Sequence, residues 1–368
     1  MNSYILLASG ISPIRNGDVH YPFRVDSDFL AWVGMDIEGA ILIHDLRSKE
    51  QVLFFDEPDE KKRLWESVKW DIDTIRAYGF IGKILPRTEL KIYLEGLEGD
   101  FHLPEKVITS TEKEYILIRE ILAGKPISSA DRYIIQKRIC KPEEDVAKIQ
   151  KAIQITEKIY NYLLENTQSG MYEYEIEAMI AYQFRLHRGI EAFPSIVASG
   201  PNACIIHYTA NNRKIENGDL VLIDFGIELD GFGADISRTF AVGEIMNSRQ
   251  QELYDAVLDV KSFAESTLKP GITRKNWNRG VKEYMFAVCQ KLQLPDIEKF
   301  TAFTNPYFPY SIGHFLGLDT HDVGDSDIPF MPGMVLTIEP GIHLPIEGIG
   351  IRIEDDYLIT VSGCKKLS

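Results

Sequence analysis

The chain of 368 residues carries 40 Lys and Arg against 55 Asp and Glu, a formal charge of -15, so a polyanionic partner such as nucleic acid is disfavoured electrostatically. Its 45% hydrophobic and 26% charged residues exclude a disordered or collagen-like chain and give a core sufficient for about two domains. Four isolated cysteines, Cys140, Cys204, Cys289 and Cys364, show no CxxC spacing, which argues against a disulfide-stapled scaffold and for a reducing compartment.

The opening MNSYILLASG has no basic stretch and only a short apolar run, unlike a secretory signal. LAWVGMDIEGAILI is broken by Asp36 and Glu38, and no run approaches the roughly 18 apolar residues of a membrane span. These features predict a cytoplasmic protein with no membrane partner. The first third alternates β-rich runs (SYILLA, GAILIHD, QVLFF, KIYLEG) with polar helical stretches around Asp59–Lys69 and Thr111–Leu122, the pattern of an α/β unit. GKPISSAD reads as a loop, and the domain boundary falls near residue 135, giving domains over 1–134 and 135–368.

Beyond it, Val146, Ile149, Ile153, Ile159, Tyr160 and Leu163 form a helical stripe over Pro142–Asn166, with Pro142 in the first turn and Glu143, Glu144 and Asp145 favouring the N-terminal dipole. Further helices are predicted over Tyr172–Arg188, Arg249–Leu268 and Arg274–Leu292. Between and after them DLVLIDFGIEL, GFGADISRTFAVG, GMVLTIEPGI and GIGIRIEDDYLI are β-branched and punctuated by glycine. The second part is therefore a sheet flanked by helices, with its polar residues of interest on strands or strand ends.

Asp224, inside the apolar run VLID, is anomalous, because a carboxylate on a buried strand costs several kcal/mol, of order 3 to 5, unless paired or bound to a cation. Asp235 follows. A four-residue loop over Glu228–Gly231 makes the two aspartates face each other, about 5 Å apart at Cβ, whereas a tighter turn on Asp230 and Gly231 makes them diagonal neighbours. Either arrangement raises one pKa unless a cation intervenes. GHFLGLDTHD places His314 and His321 seven residues apart, with Gly313 and Gly317 permitting unusual backbone geometry. Glu339 ends an apolar strand before Pro340, and Arg352 and Glu354, two apart, share one strand face. Four carboxylates and one imidazole make an oxygen-rich set suited to hard or borderline divalent ions, Mn²⁺ before Zn²⁺.

In that order and with those flanking motifs, Asp224, Asp235, His314, Glu339 and Glu354 resemble the dinuclear metal set of the pita-bread metallopeptidases, which include methionine aminopeptidase, prolidase, creatinase and Xaa-Pro aminopeptidase. RNGDVHYPFRVDSDFLAWVGM is similar to the extra amino-terminal domain of the Xaa-Pro aminopeptidases. The resemblance implies an α/β (α+β) chain, a pita-bread catalytic domain preceded by a smaller creatinase-like α/β domain. It implies about two divalent ions per chain, Mn²⁺ with Zn²⁺ or Co²⁺ as alternatives, which bring a shared water's pKa towards neutrality. Asp224 would hold one ion with both oxygens, Asp235 and Glu354 would bridge, and His314 with Glu339 would complete the second.

Glu339 would also carry a proton to the leaving nitrogen, while His207 and His321 orient the substrate and stabilise developing charge. Arg352 would support Glu354 near the substrate. The implied activity is removal of the first residue from peptides with proline second, by a homodimer or homotetramer; prolidase activity and a non-catalytic binding role are the alternatives. The chain departs from the family pattern where Tyr310 replaces a histidine, in FPYSIGH, and His343 a tyrosine, both at substrate-binding positions. A phenol brings no positive charge for a dipeptide's carboxylate, so tripeptides or longer substrates are the expected preference.

Overall fold

The structure of the protein, a computed structural model, describes residues 2–109 and 113–367. It divides into two compact units, Met1–Lys137 and Arg138–Ser368.

The first unit runs through β1 (Ser3–Ala8), a small exposed hairpin of β2 (Ile14–Asn16) and β3 (Val19–His20), α1 (Ser27–Val33), β4 (Ile41–Asp45) and β5 (Gln51–Phe54). It continues through α2 (Glu60–Trp65), α3 (Ile72–Ala77), β6 (Lys83–Leu85), α4 (Leu90–Gly96), β7 (Asp100–Leu103), α5 (Glu105–Thr109), α6 (Lys113–Ile121), β8 (Ile127–Ser129) and α7 (Asp131–Arg138). Six strands make one mixed sheet in the order β6-β5-β4-β1-β7-β8. Its buried face sets Leu6, Ile43, Phe54, Phe101 and Leu103 against Leu90, Leu94 and Ile118. KIYLEG is a correction: it lies in helix α4, because Leu90 and Leu94, one turn apart, fill the core while Ile92 stays 75% exposed. Of the helix expected over Thr111–Leu122, residues 111 and 112 lie outside the described residues.

The second unit opens with α8 (Glu143–Asn166), whose buried face is Ile149, Ala152, Ile153, Thr156, Ile159 and Leu163. Pro142 stands at its N-cap, one position before the first turn. The expected stripe is shared with Ala152 and Thr156, and Thr156 Oγ1 accepts from Ile227 N at 3.3 Å, tying helix to sheet. Truncating Ile153 at the centre of this face would cost about 2–5 kcal/mol. Next come α9 (Glu173–Leu186), β9 (Ile190–Glu191), β10 (Ile196–Ser199), β11 (Leu220–Phe225), β12 (Ile227–Leu229), β13 (Phe232–Gly233) and β14 (Ile236–Ala241). After α10 (Ser248–Thr267) and α11 (Arg274–Lys291) the chain ends with β15 (Val335–Ile338), β16 (Gly341–Leu344), β17 (Ile349–Arg352), β18 (Asp355–Ile359) and β19 (Cys364–Lys366).

These strands pair as β10-β11-β14, β13-β12-β9, β15-β18-β19 and β16-β17. Hydrogen bonds join the groups: Arg352 N donates to Thr239 Oγ1 at 3.2 Å, and Glu354 N donates to the Ser237 carbonyl at 3.0 Å, so the β17–β18 junction lies against β14. Among the described residues no helix is long and apolar enough to cross a membrane.

Candidate metal centre and its cavity

The acidic residues are placed by the strand register. Asp230 and Gly231 both adopt positive φ, 51° and 85°, so β12 and β13 close on a two-residue turn of the kind whose twist suits a hairpin. Glu228 then faces Gly233, and in the same register Asp224 faces Ser237. The tighter of the two expected turns is therefore present, and Asp235 is diagonal to Asp224. Asp235 lies in the break between β13 and β14, and Glu354 in the break between β17 and β18. A segment without regular structure runs along β15: Thr337 N donates to His314 O at 2.9 Å and Glu339 N to Ile312 O at 2.8 Å. Gly313 is needed there for close approach rather than for unusual dihedrals, since a Cβ would stand 2.0 Å from Thr337 O.

This zipper puts His314 Nε2 3.3 Å from Asp235 Oδ2 and 3.7 Å from Glu339 Oε1. Asp235, His314 and Glu354 each offer a ligand atom within 4.8 Å of the others. On the far side Arg352 Nη2 donates to Asp224 Oδ2 at 2.5 Å, and Arg352 Nε to Ser237 Oγ at 2.8 Å. Ser237 Oγ donates in turn to Glu354 Oε2 at 2.8 Å. Arg352 thus reaches Glu354 through Ser237, with Asp224 as its direct partner.

The remaining oxygens, Asp224 Oδ1 and Glu354 Oε1, are buried with no hydrogen-bond partner. Burial, followed by the charges of Asp224, Asp356 and Glu339, raises Asp235 well above the carboxylate range. Burial and then Asp235 do the same to Glu354. Burial lifts Glu339 to about 7 against the opposing pull of His314 and Arg352. A cluster of this kind is unfavourable without a compensating cation. Carboxylates gathered around one imidazole, with two buried oxygens left without protein partners, are the donor set of a hard or borderline divalent ion, so the residues fit the metal that the sequence implies.

The cluster lines a cavity of about 1050 Å³ together with Arg352, His207, His321 and Tyr310. His207, His314 and His321 sit on loops rather than on strands or strand ends, a second correction, and His207 and His321 are exposed. The rings of His314 and His321 are 4.2 Å apart. Burial first, then His314 and His207, hold the His321 pKa below its ordinary value. His343 is absent from the cavity lining. It stands behind Tyr310, where its Nδ1 is 2.9 Å from Ala203 O and its Nε2 3.1 Å from the Tyr310 hydroxyl. A carbonyl can only accept, so Nδ1 carries the proton, Nε2 is bare, and Tyr310 donates to it. His343, expected to meet the substrate, instead fixes which way Tyr310 points its hydrogen.

Two descriptions of known families match: Metallopeptidase family M24 over residues 147–361 and the Aminopeptidase P, N-terminal domain over residues 1–100. The chain belongs to metallopeptidase family M24. It is 32% identical to the Xaa-Pro aminopeptidase of Escherichia coli (strain K12), across 96% of this chain and 88% of the relative. A Zn-substituted E. coli aminopeptidase P in complex with product superposes with a TM-score of 0.88 at 29% identity, covering 99% of this chain and 90% of that one. The Xaa-Pro dipeptidase of Pyrococcus furiosus is 35% identical, but over 66% of this chain and 67% of its own length. The two-domain α/β architecture with a pita-bread metallopeptidase domain is the one expected.

The motifs of this M24 peptidase gave no hint of what holds its histidine loops. Glu173, fully buried at the start of α9, accepts from Ser199 N and Oγ at 2.7 Å each, and from Tyr208 Oη and Arg213 N at 2.8 Å each. Tyr208 directly follows His207. Asp322, directly after His321, accepts from Arg138 at 2.5 Å and from Lys141 at 2.8 Å, all three being buried. A polar residue next to each exposed histidine was the available signal, yet its partners lie 35 and more than 180 positions away.

Proposed function

We propose that this M24 chain is an Xaa-Pro aminopeptidase, which removes the first residue from peptides that carry proline second. The observation that carries the reading is the cluster of buried Asp235 and Glu354 with His314, flanked by Asp224 and Glu339, in a chain that also has the aminopeptidase P N-terminal domain. The likeness to a dipeptidase stops at about two thirds of the chain, and retention of the acidic set argues against a non-catalytic binding role, since idle carboxylates would only repel.

In this reading Asp224, Asp235, His314, Glu339 and Glu354 hold about two divalent ions, with Mn²⁺ favoured by the oxygen-rich set and Zn²⁺ or Co²⁺ as alternatives. Bound there, the ions supply Lewis acidity and an activated water. Glu339, whose carboxylate stands 3.7 Å from His314 Nε2 on the cavity wall, carries a proton to the leaving nitrogen. His207 and His321 hydrogen-bond the substrate and the charge that develops on its carbonyl oxygen. Arg352 holds Asp224 in place.

Tyr310, whose hydrogen is committed to His343, faces the cavity as an acceptor and disfavours a carboxylate immediately after the scissile bond, so peptides of three or more residues are preferred over Xaa-Pro dipeptides. The same reading places the chain in the cytoplasm, with four free cysteines, as a homodimer or homotetramer. The test is a peptide series assayed with Mn²⁺ restored to metal-stripped protein. Ala-Pro-Ala should lose its first residue while Ala-Ala-Ala does not; equal cleavage of both refutes proline specificity, and faster cleavage of Ala-Pro promotes the dipeptidase.

A further inference from the structure

Two arginines line the cavity, and they are held differently. Arg352 is fully engaged with Asp224 and Ser237. Arg274, the first residue of α11, has no ion-pair partner among the described residues. Its Nη1 is 3.3 Å from Gly313 O, its Nε is buried without a partner, and its guanidinium stands 5.8 Å from the centre of the Phe315 ring. The acidic residue whose charge it senses, Asp325, makes no ion pair with it; its Oδ1 accepts from Asp327 N at 3.0 Å and Ser326 Oγ at 3.4 Å. Asp322, an acid of the cavity lining, is already held by Arg138 and Lys141.

A half-buried guanidinium with one carbonyl contact and no carboxylate is left short of acceptors, at a cost that a bound anion removes. Its planar fork matches a carboxylate better than any other common group on a peptide. Gly313 directly precedes His314, and the Arg274 charge is among the influences, after burial, that keep the His321 pKa low. The unanswered cation is thus next to the metal-ligand cluster, in a cavity whose other charged walls are acidic or already paired.

We propose that Arg274 is a specificity-determining residue that anchors a carboxylate of the peptide substrate, either the side chain of an acidic first residue or the free C terminus of a short peptide. The inference rests on the aminopeptidase reading. Two isosteric pairs separate the sources. Glu-Pro-Ala-amide against Gln-Pro-Ala-amide reads the first residue, and Ala-Pro-Ala against Ala-Pro-Ala-amide reads the terminus.

With Mn²⁺-loaded protein, the kcat/KM ratio of the carboxylate member to its neutral partner should be about 10 or more in at least one pair. That ratio should fall below about 2 in Arg274→Met and be recovered in part by Arg274→Lys, whatever the absolute rates of the variants. Cleavage of all four peptides without discrimination in the unmodified protein overturns the inference alone, as does a ratio that survives in Arg274→Met. No cleavage of any of the four overturns the aminopeptidase reading and this inference with it.

Discussion

The two halves of the cavity are built on opposite principles. The acidic half, Asp224, Asp235 and Glu354 with Arg352, is buried at strand ends and strand breaks, with its geometry fixed by β11–β14 register and by the Ser237 and Thr239 bridges. The imidazole half, His207, His314 and His321, is on loops, and two of its members are exposed. In the first half rigidity is free but charge is in conflict, which protons relieve in the empty cluster and a cation relieves at neutral pH. In the second charge is no difficulty but position is, and buried anchors, Glu173 for the His207 loop and Asp322 for the His321 loop, supply it.

Substitutions can break that contrast, and the largest effect is expected in the acidic half. Asp235→Ala should abolish metal loading and with it turnover, because a bridging carboxylate serves both ions, while Asp224→Ala should spare one ion more. Metal content per chain after Mn²⁺ reconstitution measures this, and full occupancy in both variants means the ligand assignment is wrong. Next come the loop histidines. His207→Ala and His321→Ala should load metal nearly normally yet lose about 10²-fold in turnover, the scale of a lost positioned donor; unchanged turnover in both leaves them without a catalytic part.

The smallest effect sharpens the comparison behind the wall. Burial, assisted by Arg352, lowers the His343 pKa from 6.5 to about 4. Below about pH 6.5 the unfolded chain binds a proton there that the folded chain refuses, so the stability this residue contributes is complete above that pH and is lost as pH falls towards 4. The slope is about 1.4 kcal/mol per pH unit at most. Denaturant midpoints between pH 7 and 4.5 should therefore fall less steeply in His343→Gln than in the unmodified protein. Identical slopes would show that His343 is already solvated.

The local signals that were legible in the sequence are those with a chemical anomaly in them. Asp224 within VLID, the glycines around His314 and the Glu339–Pro340 step all mark positions where apolar periodicity is interrupted by a group that needs a partner, and the structure gathers them along one cavity. The first unit was legible in class but not in every element, because KIYLEG has β-forming residues whose apolar spacing, seen with Leu90, is helical. Hydrogen-bond direction and long-range partners left no local trace. The proton of Tyr310 is fixed by His343 and Ala203, both remote from it in sequence, and Arg274 is set apart from other basic residues in a first helical turn only by its lack of an ion-pair partner among the described residues.

The central claim is that the buried carboxylates exist to hold metal. Calorimetric titration of Mn²⁺ into metal-stripped protein at neutral pH tests it most directly. The account predicts saturation at about two ions per chain, with protons released as Asp235 and Glu354 ionise. No binding at this cluster, with the protein folded, would contradict it.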